Sequence, residues 1–326
     1  MSQPVITVTL NPALDQTVTV PLLRTGAVNL ASEVHVNAGG KGVNVASCLA
    51  DWGVPVVASG LLGRDNTTPF EDLFADKGIR DAFIRVGGST RTNIKLVDAA
   101  TLDTTDINLP GIQPSTGALA KLQLLLDEQV DDGSLVVLAG SLPAGVDDGG
   151  WAQYARQLRQ LGARVVLDTS GPALQQALAL PPDALPWLIK PNQHELEQYL
   201  GQPLPDLAAT VAAARQLQRR GIAVVVVSLG SAGALLCCEQ GCWQAEPLQL
   251  DNLKSTVGAG DALVAGLVAA LHATAPGQTP EWPEVLRLGM PLPLPSWRIS
   301  ARTCRTPAKC AAWRAASPST SWIDSR

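Results

Sequence analysis

Apolar, β-branched runs recur along the chain, separated by longer segments whose apolar residues have helical spacing. Strands are predicted at 5–10, 55–60, 135–139, 164–167, 187–189 and 223–228, and helices at 42–52, 116–130, 151–161, 171–180, 193–200, 207–220 and 260–273. This alternation predicts an α/β fold, a mostly parallel sheet covered by helices on both faces. The run Val224, Val225, Val226, Val227 is continuous in the way a strand buried on both faces requires. Two stretches, 17–37 and 92–109, alternate polar and apolar residues instead. They predict short antiparallel strands with one wet face, a small β lid spanning about 12–37 and 90–110.

The pattern breaks after Met290. From 291 to 326 there are six basic residues against one acid, Asp324, with Pro and Ser throughout and no helical or strand period. Three of the eight tryptophans and two of the six cysteines fall in this stretch. So abrupt a switch in charge, composition and period is what a change of reading frame near codon 290 produces. The expected organisation is a domain over 1–290 followed by a poorly ordered, aberrant tail at 291–326.

Composition narrows the function classes. The 326 residues suffice for a large buried core, and 46% hydrophobic with 16% charged residues excludes disorder. A net charge of -5 supplies no basic field, so neither nucleic acid nor an anionic membrane is an expected partner. The longest apolar stretches, such as 262–271, fall short of the roughly 18 residues a membrane span needs. The opening residues carry no basic segment of the kind that starts a signal peptide, and a cytoplasmic location is expected. The cysteines form no CxxC pair and are expected to be buried or incidental thiols; the three histidines are scattered and receive no role.

The strongest chemical signal is Ser255, Thr256, Val257, Gly258, Ala259, Gly260 and Asp261, followed at once by an apolar helix. Small residues ahead of a helix expose unpaired amides at its positive end, a ready site for a phosphoryl group. Asp261 in the first turn could be a simple cap. Beside a hydroxyl, the same carboxylate can take a proton while the glycine amides hold phosphoryl oxygens. A second signal, Gly39, Gly40, Lys41, Gly42, Val43 and Asn44, also opens a helix. It lacks the spacing of a Walker A loop and of GxGxxG. Asp15 follows the first strand, where α/β folds bind ligands. Asn192 and Glu195 have the spacing of a capping box, and Ser228 to Gly233 forms a glycine turn between two strands.

Together these elements resemble the ribokinase-like, or PfkB, family of carbohydrate kinases, with similarity from residue 1 to about 290. The resemblance implies a ribokinase-like three-layer core plus a β lid, and transfer of phosphate from ATP, with Mg2+, to a sugar hydroxyl. GAGD is the family's signature: Asp261 falls on the catalytic base, and Gly258, Ala259 and Gly260 on the anion hole. NPALD, AGGKGVNVA and TRTNIKL look like the branch acting on sugar phosphates. Fructose 1-phosphate or a related sugar phosphate is then the expected substrate, with tagatose 6-phosphate and fructose 6-phosphate as alternatives, and a tail-damaged, catalytically weak sugar-phosphate binding protein as the other reading. In that branch Asp15, Gly39, Gly40, Asn44 and Asn93 would hold the sugar, Lys41 and Arg91 its phosphate, and Ser141 would touch substrate. Lys190 and Asn192 would lie near ATP phosphates, Glu195 in the magnesium shell, and Ser228, Gly230, Gly233, Ser255 and Thr256 at the nucleotide. A homodimer joined through the β lid is expected as well. Where relatives continue past residue 290 with an Ala-rich helix, this chain departs from them.

Overall fold

The structure is a computed structural model describing residues 3–246, 258–275 and 277–290, and the backbone of 320–322. Its strands are β1 (Val5–Thr9), β2 (Ala13–Val20), β3 (Glu33–Gly39), β4 (Val56–Gly63), β5 (Arg80–Val86), β6 (Arg91–Asp98) and β7 (Thr104–Asn108). They continue with β8 (Leu135–Ala139), β9 (Arg164–Asp168), β10 (Leu188–Ile189), β11 (Val224–Ser228), β12 (Ala234–Cys238), β13 (Gly241–Ala245) and β14 (Thr320–Trp322). The helices are α1 (Lys41–Asp51), α2 (Thr68–Lys77), α3 (Thr116–Gln129), α4 (Gly150–Gln160) and α5 (Gly171–Leu178), then α6 (Gln193–Leu200), α7 (Leu207–Arg219), α8 (Ala259–Ala273) and α9 (Trp282–Gly289).

Ten strands form one sheet in the order β14-β13-β12-β11-β10-β9-β8-β1-β4-β5, parallel from β11 to β5 and antiparallel beyond. The core strands β1 and β8 are buried at every position, because helices cover both faces. One core lies against α3 to α7, with Trp151, Leu122 and Leu158 at its centre; the other lies against α1, α2, α8 and α9 around Phe70, Leu49 and Val264. The chain leaves β1 first towards β4 and later returns to its other side with β8. Loops on either side of that reversal diverge and open a crevice at the carboxyl ends of the strands.

The lid is a separate four-stranded sheet, β3-β2-β6-β7. The expectation of antiparallel strands needs correction for its central pair, since β2 and β6 run parallel. The chain passes from β2 to β6 through β3, α1, β4, α2 and β5 rather than by a hairpin. Register sorts the lid's two faces. Asp15 lies opposite Asn37 and Asn93, and Asn93 opposite Asn108, so one face carries a polar row. On the other, Gln16 lies opposite Val36 and Ile94, and Ile94 opposite Ile107.

Two further expectations change. Cys237 and Cys242, expected as free thiols, face each other across the β12–β13 hairpin with Cα atoms 4.3 Å apart and are joined as a disulfide. A register that sets two cysteines opposite one another decides this, and linear spacing does not show it. The tail lies almost wholly outside the described residues. Residues 320–322, where no strand period is present, pair antiparallel with β13. An edge strand offers unpaired N–H and C=O groups to any extended segment, whatever its side chains.

Candidate active site

Residues far apart in the chain meet at the carboxyl ends of β1, β8, β9 and β10. At the start of α8, Gly258 takes φ 82°, a left-handed conformation that a side chain would strain, and its carbonyl accepts the first helical hydrogen bond, from Ala262 N at 2.9 Å. The amides of Ala259, Gly260 and Asp261 precede that bond and sit at the positive end of the helix. Asp261 is 7% exposed, and its Oδ2 accepts from Asn44 Nδ2 at 2.8 Å. Burial, only partly opposed by that hydrogen bond, pushes the Asp261 carboxyl up to about 6; the negative charge of Asp168 acts in the same direction, while Lys41 and Lys190 pull it down.

Asp168, which sequence reasoning missed, organises the other side of the crevice. It ends β9, is 1% exposed, and its Oδ1 accepts from Lys41 Nζ at 3.2 Å and faces Lys190 Nζ at 3.3 Å. Burial alone would lower the Lys41 pKa, but the charges of Asp168 and Asp261 outweigh it and raise it. A Cβ built on Gly260 would lie 3.5 Å from Lys190 Nζ, so this ammonium stands beside the first turn of α8. A charged residue closing an apolar strand, RVVLD, was the signal that could have found Asp168.

The lid supplies the remaining groups. Asp15 Oδ1 accepts from Asn93 Nδ2 at 3.1 Å, and burial raises the Asp15 pKa against the opposing effects of Asn93 and Arg91. A Cβ at Gly39 would collide with the Asp15 carboxylate, which is why the chain needs glycine there. Gly40 precedes α1 at φ 111°. Arg91 opens β6 opposite Ala13, and Ser141 Oγ, after β8, accepts from Asn11 Nδ2 at 3.1 Å. Of the two cations assigned to one phosphate, Arg91 therefore stands on the lid beside Asp15, and Lys41 at Asp168.

Asn192 and Glu195 do form a capping box on α6, Asn192 Oδ1 accepting from Glu195 N at 2.7 Å and Glu195 Oε2 from Asn192 N at 2.8 Å. Asn192 also bridges to Ser228, bringing two predicted nucleotide residues together. Gly230 and Gly233 have φ of 60° and 90° in the turn that reverses the chain into β12. Ser255 and Thr256 lie outside the described residues. Among the described residues no group of three or more His, Cys, Asp or Glu side chains is gathered as if for a metal, and no helix is long and apolar enough to cross a membrane.

A three-layer α/β core, a β sheet over its crevice, and a carboxylate at an anion-ready helix terminus are the makings of an ATP-dependent sugar kinase. The sequence profile of the pfkB family carbohydrate kinases matches residues 8–289, and the chain belongs to that family. It is 53% identical over 271 residues to the 1-phosphofructokinase of Xanthomonas campestris, a match spanning 83% of this chain and 85% of that protein. Identity to the 1-phosphofructokinase of Escherichia coli K12 is 39% over 271 residues, with the same coverage. The fold superposes on the crystal structure of Escherichia coli phosphofructokinase-2 in complex with fructose-6-phosphate with a TM-score of 0.80 at 28% identity, over 89% of this chain and 92% of that one.

Proposed function

We propose that the protein phosphorylates fructose 1-phosphate to fructose 1,6-bisphosphate. The observation that carries the mechanism is Asp261, buried at the N-terminus of α8 and held by Asn44, with Lys190 alongside. The carboxylate takes the proton of the sugar hydroxyl as that oxygen attacks the γ-phosphorus of ATP; the bond to the bridging oxygen breaks and ADP leaves. The amides opening α8 and the Lys190 ammonium face the negative oxygens of the group in transfer. Lys41, anchored on Asp168, adds positive charge on the same side. Arg91 and Ser141 hold the phosphate already on the sugar, and Asp15 and Asn93, on the lid's polar face, take sugar hydroxyls. Asn192 and Ser228 border the nucleotide.

Mg2+ fits this donor set. It keeps several waters and needs one or two protein carboxylates beside substrate phosphates. Glu195 commits one oxygen to the Asn192 amide and keeps a second for the ion's shell. Bound there with ATP, the ion would neutralise phosphate charge. The test is ADP release, with and without Mg2+, using fructose 1-phosphate, fructose 6-phosphate and tagatose 6-phosphate. We expect the highest kcat/KM for fructose 1-phosphate and loss of turnover without the ion. Preference for either 6-phosphate reassigns the substrate.

The lid's outer face supports a homodimer. Val34 and Ile107 are 51% and 47% exposed, in rows with Val36 and Ile94 on the side away from the site. Such a face is best covered by an identical one, and a two-fold pairing of lids does so. Sedimentation should show a dimer for the parent and a monomer for the Val34→Asp, Ile107→Asp double variant. A parent that sediments as a monomer at micromolar concentration rules the pairing out.

A further inference from the structure

Three polar atoms lie buried without a hydrogen-bond partner at the joint between lid and core: Asn11 Oδ1, Arg91 Nε and Asn93 Oδ1. Buried polar atoms in native proteins are paired, so a cluster of orphans marks contacts that a ligand or a closing motion completes. Two of them are chemically complementary. Asn11 follows β1 in the core, and Arg91 opens β6 in the lid. Both side chains flank Gly111, on the return from the lid to α3: a Cβ there would collide with Asn11 Oδ1 and lie 3.5 Å from Arg91 Cδ. The other end of the Asn11 amide is already committed. Its Nδ2 donates to Ser141 Oγ at 3.1 Å and to the Leu142 carbonyl at 3.4 Å.

We propose that Asn11 is the positioning residue of the pocket for the substrate's own phosphate, fixing Ser141 from its amide nitrogen and receiving the Arg91 Nε–H on its carbonyl oxygen. An arginine carries five N–H donors in a rigid plane. With Nε tied to Asn11, the two terminal nitrogens form a fork whose direction is set, the geometry that grips a phosphate through two parallel hydrogen bonds. Without the tie, the guanidinium hangs on a flexible stem from the lid side of the joint. Asn11 thus couples a lid residue to a core residue, so that the phosphate is gripped only when the lid is seated. Its place beside Arg91 also explains glycine at 111, since any side chain there would push the two apart.

This inference rests on the assignment of Arg91 and Ser141 to the sugar phosphate. The test is a double-mutant cycle of Asn11→Ala and Arg91→Ala, read as kcat and KM for the sugar phosphate and for ATP separately. Asn11→Ala should lower kcat/KM for the sugar phosphate by roughly 10- to 100-fold, the loss of a hydrogen bond to a charged group. Most of that change should appear in KM, with the KM for ATP within about twofold of the parent, which also reports that the variant is folded. Added to Arg91→Ala, the second substitution should cost only the part that acts through Ser141, so the two losses should be clearly less than additive. Gly111→Ala should reproduce the single-variant pattern by displacing the Asn11 carbonyl. Additive losses, or equal damage to both KM values, overturn the role of Asn11. If Arg91→Ala alone leaves the sugar-phosphate KM unchanged, the pocket assignment fails and the inference with it. If the parent turns over none of the phosphorylated sugars, the substrate reading has failed and both fall together.

Discussion

Asp261→Asn is expected to lower kcat by about 100- to 10,000-fold, the usual contribution of a positioned general base, while ATP binding stays near that of the parent. Asparagine keeps the size of the side chain and its place against Asn44 but cannot take the proton of the sugar hydroxyl. The same carboxyl sets the pH dependence. Burial holds its pKa at about 6, so the active, ionised form gains as pH rises through that value, and kcat/KM should fall on the acid side below it. In the asparagine variant that acid limb should vanish from the residual activity. Calorimetric titration with ATP separates lost chemistry from lost binding. A variant within tenfold of the parent removes Asp261 from the role of base.

Asp168→Asn should have the largest effect on stability. The carboxylate is 1% exposed and faces two ammonium groups at 3.2 and 3.3 Å, of which Lys190 is itself 5% exposed. Removing one partner leaves a buried cation without its countercharge, at a cost of about 3–5 kcal/mol. That is a large part of the roughly 5–15 kcal/mol that holds a domain folded. Urea unfolding at neutral pH measures it, as a lower midpoint with the slope unchanged. Saturating ATP should recover part of the loss, because its phosphates supply the anion that Lys41 and Lys190 lack. A loss below about 1 kcal/mol would mean that water already screens the pair and that Asp168 does not organise the crevice.

Much of the architecture was legible along the chain because local rules decide it. The helix expected at 193–200 forms over those residues, where Asn192 and Glu195 cap it; the VVVV strand forms because its four valines are buried on both faces. The elements that escaped notice have weak local signals. Helix α2 buries only Phe70 and Phe74 in a charged segment, β5 begins with two exposed charged residues, and α9 is a short helix with Pro283 in its first turn. They are short, at ten, seven and eight residues, and packing against α1, β4 and α8 makes up what length and propensity lack.

The site divides along the same line. Asp261 and the glycine-led helix start were visible because a helix terminus needs small residues and a first-turn acid in sequence, within a few positions; Lys190 came only from the family resemblance. The partners they meet are set by the sheet. Strand order brings β9 beside β8 and β10 and places Asp168 between Lys41 and Lys190, although 127 residues separate it from Lys41. The Asn44–Asp261 bond spans 217 residues and Asn11–Ser141 130, distances over which no local pattern carries information. Residue types and their secondary structure are local properties, readable one window at a time. Which buried charge neutralises which, and therefore the pKa of the base and the aim of each cation, depends on a crevice that exists only once the strands are ordered and water is excluded.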